Sequence, residues 1–204
     1  SFPVQTLKAT TIDPGAQFGF AVAIDGDTMV IGAPQDNDTG AAYVFNRDPV
    51  TGDWTQADVL QATVPQNGSN FGFSVDIQGD TIVVGAHLYD LTNSLTNAGN
   101  VYVFRRINST DWQRTQTLTT PTPAPSGAFG SSVSIDGNTI VIGAPKELNN
   151  KGIAHVFVCD AAFSQCLNEA ALTAADGANG DLFGNAVAID GDRVAVGAPF
   201  NAAG

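Results

Sequence analysis

Two clusters of acidic side chains are the residues of this chain most suited to binding an ion. Asp36 and Asp38 lie in one cluster, and Asp176 and Asp181 lie in the other. Calcium takes six to eight oxygen ligands on a flexible loop, so both clusters are candidates for a weak cation site. Asp, Asn and Gly are also ordinary turn residues, which favours solvated loops. We therefore predict weakly bound calcium at most and no other cofactor.

The two cysteines, Cys159 and Cys166, are close in sequence. A Cys-x6-Cys pair lacks the second pair of ligands that a structural zinc site needs, and neither histidine has metal-binding spacing to it. We therefore predict a disulfide between them. Such a bond indicates an oxidising compartment, which favours an extracellular or cell-surface protein.

Three Asn-x-Ser/Thr sequons begin at Asn37, Asn67 and Asn108, all in predicted loops. Glycosylation requires such surface positions, so the chain is a candidate glycoprotein. Chance matches to this short motif are common, and in a bacterial protein the sequons would stay bare.

Catalytic chemistry finds little support in the residue pattern. The only histidines are His87 and His155, and no Ser-His-Asp set or carboxylate pair can be assembled from recurring positions. We predict that the protein is not an enzyme.

The charge balance excludes further classes of partner. The chain has 20 acidic and 8 basic residues and a formal net charge of −12, whereas binding to nucleic acid depends on neutralising phosphates. No apolar run approaches the roughly 20 residues that span a bilayer. We predict neither nucleic-acid binding nor membrane insertion. At 43% hydrophobic and 14% charged residues, the chain is expected to fold.

A repeated segment must position all of these residues. The segment FGFAVAIDGDTMVIGAP at 18–34 returns at 71–87, 129–145 and 183–199, with the same spacing between Phe and Gly-Ala in every copy. A constant interior with variable connections indicates a fixed β-hairpin joined by variable loops. The hairpin turns are predicted at Asp25-Gly26, Gln78-Gly79, Asp136-Gly137 and Asp190-Gly191, where Gly supplies a positive φ.

Two further strands follow each complete hairpin. A third strand is predicted at 43–45, 102–104 and 155–157, and a fourth around Leu60, Leu118 and Leu172. The inner strands are apolar or small on both faces, so each four-stranded sheet must be covered on both sides. Radially repeated sheets of this kind are the blades of a β-propeller. A β-solenoid is the alternative, although its coils are usually shorter.

The alignment of the repeats gives the boundaries of the blades. We predict an all-β, single propeller region over 1–204, in which 1–13 supply the outer strand of a preceding blade. Repeats 1 to 3 cover 14–66, 67–124 and 125–178, and 179–204 form an incomplete fourth repeat. This strand count predicts a partial propeller, or a part of a larger one.

The cysteines replace another cross-strand pair in this alignment. Cys159 takes the slot of Arg47 and Arg106, and its partner takes the slot of Trp54 and Trp112. Arg over Trp is a cation–π pair, so a disulfide is expected to link the same two strands in the third repeat.

The repeated motifs resemble the FG-GAP repeats of integrin α-subunit propellers and of many microbial surface proteins. The resemblance implies a propeller, commonly seven-bladed, that works by adhesion or assembly. The calcium loops of integrin-type blades are absent here, because the tight turns cannot supply their ligands. The motif residues are expected to be scaffold, with Phe as an apolar anchor and Gly permitting close backbone approach. They are Phe18, Gly19, Gly32, Phe71, Gly72, Gly85, Phe129, Gly130, Gly143, Phe183, Gly184 and Gly197.

The predicted function is an extracellular adhesion or structural-assembly module that contacts other proteins or copies of itself at the cell surface or in the extracellular matrix. One alternative is a glycan-binding propeller, in which exposed aromatic residues such as Tyr89 stack on sugars. A second is the non-catalytic propeller portion of a secreted hydrolase.

Overall fold

The computed structural model describes residues 4–201, and every copy of the repeat forms an antiparallel sheet whose strands follow chain order. Three sheets have four strands and the last has two. Blade 1 contains β1 (Ala21–Asp25), β2 (Thr28–Ala33), β3 (Ala41–Arg47) and β4 (Trp54–Leu60). Blade 2 contains β5 (Ser74–Gln78), β6 (Thr81–Ala86), β7 (Asn100–Asn108) and β8 (Asp111–Leu118). Blade 3 contains β9 (Ser132–Asp136), β10 (Thr139–Ala144), β11 (Ile153–Cys159) and β12 (Cys166–Leu172), and blade 4 contains β13 (Ala186–Asp190) and β14 (Arg193–Gly197).

The blades are arranged radially. The first strands β1, β5, β9 and β13 lie beside one another in sequence order, while the outer strands diverge. This arrangement confirms the predicted partial β-propeller with four-stranded antiparallel blades.

Apolar cores lie between the sheets because both faces of each blade are apolar. The core between blades 1 and 2 contains Val30, Val44, Leu60, Val75, Ile77, Ile82, Val84 and Phe104. The core between blades 2 and 3 contains Val83, Val103, Leu118, Val133, Ile135, Ile140, Ile142 and Phe157. Two-sided burial is therefore what holds successive blades together.

The hairpin turns lie one residue later than the sequence predicts. Asp25 still pairs with Thr28 in the ladder, so the two-residue loop is Gly26-Asp27. Gly26 has a φ of 57°, and a positive φ at the first loop residue is what a type II′ turn requires. The shift leaves the Asp25 side chain on the strand, where it can contact the next blade.

Residues 4–10 form no strand, unlike the predicted outer strand over 1–13, of which 1–3 lie outside the described residues. Their packing nevertheless repeats that of an outer strand. Leu7 and Ala9 pack on Tyr43 and Phe45 of blade 1, much as Leu60 packs on blade 2. A side chain replaces the missing ladder partner, because Gln5 Oε1 accepts from the backbone N–H of Trp54 at 2.8 Å.

Two short helical turns, Asp36–Asp38 and Glu147–Asn150, complete the described secondary structure. Neither these nor any other helix within 4–201 is long and apolar enough to cross a membrane.

Candidate functional site

The propeller has two different faces because every sheet is a meander. The turns within the β1–β2 and β3–β4 hairpins lie on one side, which we call the turn face. The connections between the second and third strands lie on the other side, together with the connections between blades, and we call it the loop face. The motif residues lie at this loop face, so it is where the blades are fixed to one another.

The motif glycines let the backbones of neighbouring blades touch. A Cβ on Gly85 would lie 2.2 Å from the carbonyl oxygen of Gly130, and one on Gly32 would lie 2.0 Å from that of Gly72. Both distances are far below van der Waals contact. These glycines are therefore junctions between blades and leave no room for a ligand.

In blades 1 to 3 the motif phenylalanine packs on the third strand of its own blade. The Phe71 ring lies 5.3 Å from that of Tyr102 and 6.2 Å from that of Phe104, centroid to centroid. Phe71 and Phe129 are fully buried. Edge-on and tilted pairs of this kind add to the apolar burial, which fits a scaffold role.

A row of hydrogen bonds on the turn face also links the blades, and the sequence did not reveal it. The Asp25 carboxylate accepts from the N–H of Gly79 at 2.6 Å, and Asp136 accepts from the N–H of Gly191 at 2.6 Å. Gln78 donates to Asp136 at 2.6 Å. The N–H of Gly191, followed by the Gln78 side chain, holds the pKa of the Asp136 carboxyl below its usual range.

The candidate cation ligand Asp36 is buried at 2% exposure. Its carboxylate accepts from the Tyr43 hydroxyl at 2.7 Å and from the N–H of Asp13 at 3.1 Å. Burial, followed by the hydrogen bond to Asp36, raises the pKa of Tyr43 well above its usual range. Asp36 therefore serves as an internal hydrogen-bond acceptor that holds the loop onto β3.

The other candidate ligands are not brought together. Asp38 is exposed on the first loop and Asp176 is exposed between blades 3 and 4. Asp181 is buried, where its carboxylate accepts from the N–H of Ala178 at 2.7 Å and from Asn201 at 3.2 Å. Across residues 4–201 no three His, Cys, Asp or Glu side chains are placed to hold a metal ion.

We predict that calcium leaves the folded state nearly unaffected. The acidic side chains with defined partners are already hydrogen-bonded within the protein, so an ion would gain few ligands. Thermal melts in millimolar calcium and in excess chelator are expected to coincide. A drop in stability of several kcal/mol on chelation, as release of a tightly bound ion would give, contradicts the prediction.

A buried acid, a histidine and a hydroxyl do meet in blade 3. His155 Nε2 lies 3.2 Å from the Glu147 carboxylate and 3.4 Å from the Thr120 hydroxyl. A Ser-His-Asp relay uses both ring nitrogens, one toward the acid and one toward the nucleophile, whereas both contacts here converge on one nitrogen. The side chains of His155 and Glu147 are both 3% exposed, so a substrate could not reach them. The cluster is a structural counterpart of Asp36–Tyr43.

The two cysteines are bonded in the structure. Cys159 and Cys166 pair directly across β11 and β12 and form a disulfide, with their Cα atoms 3.9 Å apart. In blade 2 the guanidinium of Arg106 lies 4.5 Å from the Trp112 ring centroid, as the alignment predicts. In blade 1 the guanidinium of Arg47 instead forms an ion pair with Asp27 at 3.3 Å.

We predict that Cys159 and Cys166 are oxidised in protein taken from its native environment. Intact mass before and after reduction and alkylation measures this, and two free thiols in the unreduced sample would refute it. Because the sequence separation is only 7, reduction is expected to cost about 2 kcal/mol of unfolding free energy.

The three sequon asparagines are all exposed. Asn37 and Asn67 lie on the loop face, whereas Asn108 lies at the tip of the β7–β8 hairpin. Its side-chain oxygen accepts from the N–H of Thr110 at 2.9 Å and from the Thr110 hydroxyl at 3.2 Å. Glycosylation stays a prediction at all three positions.

The connection between β6 and β7, residues 87–99, is longer than the corresponding connections 34–40 and 145–152. Asp90 fixes its base, because its N–H donates to Gln66 at 2.6 Å and its carboxylate accepts from the N–H of Asn97 at 2.6 Å. Thr92, Asn93 and Ser94 at the tip are exposed. Tyr89, predicted to be an exposed stacking residue, is only partly exposed because it packs on the core beside Tyr102.

A cavity of about 300 Å³ opens on the loop face beside this connection. It lies between blades 2, 3 and 4, and Phe73, His87 and Lys146 contribute to its wall. His87 occupies the slot that Pro fills in the other three Gly-Ala-Pro motifs. This substitution is the only feature of the sequence that indicates the cavity.

Comparisons with known proteins agree with this architecture. The human protein integrin alpha-X is 31% identical over 151 residues, which cover 64% of this chain and 12% of that protein. The crystal structure of Saccharomyces cerevisiae Sqt1 matches with a TM-score of 0.51 at 12% identity, covering 79% of this chain and 37% of that one. The latter likeness concerns the fold alone. The chain therefore spans well under two thirds of both proteins.

The family model of the FG-GAP repeat matches residues 3–45, 54–104, 112–157 and 167–204. These segments cover most of the chain, and the second and third each run from the fourth strand of one blade to the third strand of the next. Together with the glycine junctions and the buried motif phenylalanines, they show that this chain belongs to the FG-GAP repeat family.

Proposed function

We propose that this chain is a protein-binding module at the cell surface or in the extracellular space, and that the loop at 87–99 is its principal contact. The observation that carries the proposal is the extension of this one connection on an otherwise regular scaffold. Recognition residues are commonly placed on loops that a rigid framework positions. The similarity to integrin alpha-X supports a protein partner and an extracellular or surface location.

The chemistry of the loop suits a protein interface. Asp90 is the only formally charged residue within 87–99, and its carboxylate is bonded to Asn97. The centres of protein interfaces are depleted of charge, because burying an unpaired charge is costly. On a chain of net charge −12, an uncharged tip is thus a part of the surface that a partner can desolvate without burying an unpaired charge.

Shortening the loop tests this proposal. Residues 91–96 are replaced by two glycines, which keeps Asp90 and Asn97 at the base. Wild type and variant are chemically cross-linked to surface proteins of the source organism, and the captured proteins are identified by mass spectrometry. We expect wild type to capture a defined partner that the variant loses.

The matched control shortens the β3–β4 hairpin at Pro49–Thr51, on the turn face. This variant should capture the same partner as wild type. Capture that survives loss of the loop, or that is lost equally in both variants, would refute the role of the loop.

Self-assembly is the second part of the proposal, and exposed apolar side chains on β1 support it. Val22 and Ile24 are 64% and 60% exposed, whereas their counterparts Val75 and Ile77 are buried between blades. On blade 4, Ala186 and Ala188 of β13 are likewise exposed. The two surfaces correspond to opposite sides of a blade-to-blade contact, so blade 4 of one copy fits against blade 1 of another.

Light scattering at micromolar concentration measures this head-to-tail association. Wild type is expected to form oligomers, and the double variant Val22→Thr, Ile24→Thr is expected to be monomeric, because Thr keeps strand propensity but removes apolar surface. A strictly monomeric, folded wild type refutes self-assembly without affecting the proposed role of the loop.

A further inference from the structure

The cavity between blades 2, 3 and 4 combines an apolar wall with several hydrogen-bonding groups. Phe73 and Leu182 supply apolar surface. His87, Ser131, Lys146 and Asn185 supply polar atoms. Small-molecule sites typically show this combination of an apolar lining with a few placed polar groups.

His87 departs from the repeat, because the other three blades have proline at this position. The fold therefore does not require a histidine there. Its ring stacks on Phe73 with centroids 3.7 Å apart. Nδ1 is buried without a hydrogen-bond partner among the described residues. Burial, followed by the charge of Lys146, lowers the pKa of His87 to about 4, so the ring is neutral at pH 7.

The neutral ring can offer a donor to the cavity. A buried nitrogen without a partner costs less as an acceptor than as an N–H, because orphaned N–H groups are the rarer case in proteins. This places the proton on Nε2, because Nδ1 is the ring nitrogen that is buried without a partner. His87 therefore presents one N–H donor to a ligand.

Lys146 supplies an available positive charge. It is exposed, and no ion pair among residues 4–201 involves it, although the chain has 20 acidic residues. The Asn185 side chain adds amide donors. The Ser131 hydroxyl donates to the carbonyl of Ala128 at 2.7 Å, so it faces a ligand as an acceptor.

We propose that this cavity binds a hexuronate residue of an acidic glycan, with the sugar carboxylate on Lys146 and His87 and the sugar C–H groups against the apolar wall to which Leu182 and Phe73 contribute. Donors converging with an ammonium group suit a carboxylate. The apolar wall suits a pyranose face, and Ser131 and Asn185 suit sugar hydroxyls. The volume of about 300 Å³ accommodates a single ring. This site is independent of the protein contact at the tip of loop 87–99.

Titration of the 204-residue chain with methyl β-glucuronide, followed by NMR, tests the proposal. We expect saturable shift changes at the amides of His87, Lys146 and Asn185, and much weaker effects of methyl β-glucoside and of glutamate. Lys146→Gln should weaken binding roughly tenfold or more, the loss expected for one charge-assisted hydrogen bond. Lys151→Gln, which removes the same charge outside this cavity, should bind like wild type.

His87→Pro separates binding from folding, because Pro occupies this slot in the other blades. The variant should melt at or above the temperature of wild type and should bind the glucuronide at least tenfold more weakly. Absence of glucuronide binding, equal binding of the neutral glycoside or of glutamate, or unchanged affinity in Lys146→Gln or His87→Pro would each overturn the proposal.

Discussion

Replacing Gly99 by alanine is expected to destabilise the protein by about 3–5 kcal/mol, from backbone strain together with overpacking. Gly99 has a φ of 89°, and a Cβ there would lie 2.0 Å from the carbonyl oxygen of Phe129 and 2.7 Å from its nitrogen. Backbone atoms on both sides of the contact belong to neighbouring blades and cannot move independently. Equilibrium unfolding in urea measures the loss as a lower midpoint at an unchanged slope.

Gly137→Ala is the matched control, because it isolates strain from contact. Gly137 has a φ of 56°, but an added Cβ would meet nothing within 4 Å. This variant should lose only about 1–3 kcal/mol, the strain of an alanine held at a positive φ. Equal losses in the two variants would mean that the close approach of blades 2 and 3 at Gly99 adds nothing to the cost, which would contradict a junction between the blades at this position.

The blades were predictable because the spacing inside each repeat is invariant. Phe71 and Gly85 can have equivalents at the same positions of every blade only if the hairpin between them has a constant length. In blade 2 this hairpin is the pairing of Ser74–Gln78 with Thr81–Ala86. Apolar residues on both faces of a strand then require neighbours on both sides. Fold and core follow from these two local patterns.

The contacts between blades were less predictable, because they join residues one repeat apart. Asp25 is a favourable turn residue, so the sequence placed it within the turn. In the structure the turn begins at Gly26, and the Asp25 carboxylate binds the N–H of Gly79 in the next blade. Turn propensity alone cannot distinguish a local cap from a link between sheets.

The buried polar pairs were hidden by the variable loops. Asp36 and Tyr43 are seven residues apart, and Glu147 and His155 are eight apart. An alignment on the motif phenylalanine brings Asp36 and Glu147 to one slot, and an alignment on the third strand brings Tyr43 and His155 to another. The internal acceptor is seen to recur only when the two positions are compared together. From its own loop alone, Asp36 is predicted only as a candidate for a weak cation site.

Truncation of a motif phenylalanine should be as damaging as a clash at a junction. Phe129 is fully buried, and its ring lies 5.5 Å from the His155 ring and 6.0 Å from the Phe157 ring. Phe129→Ala is expected to cost about 3–5 kcal/mol of unfolding free energy, from lost apolar burial and the cavity that remains. The measurement is again urea unfolding.

Phe20→Ala provides the control, since Phe20 follows the Phe-Gly motif of blade 1 and is 51% exposed. Its ring contacts only Phe73, at 4.8 Å, among the aromatic pairs of the described chain, so the loss should stay below about 1 kcal/mol. If Phe129→Ala lost no more than Phe20→Ala, the motif phenylalanine would not anchor the blade. The repeated Phe-Gly pair would then act mainly through its glycine. The close backbone contact at Gly99 would in that case have to hold blades 2 and 3 together.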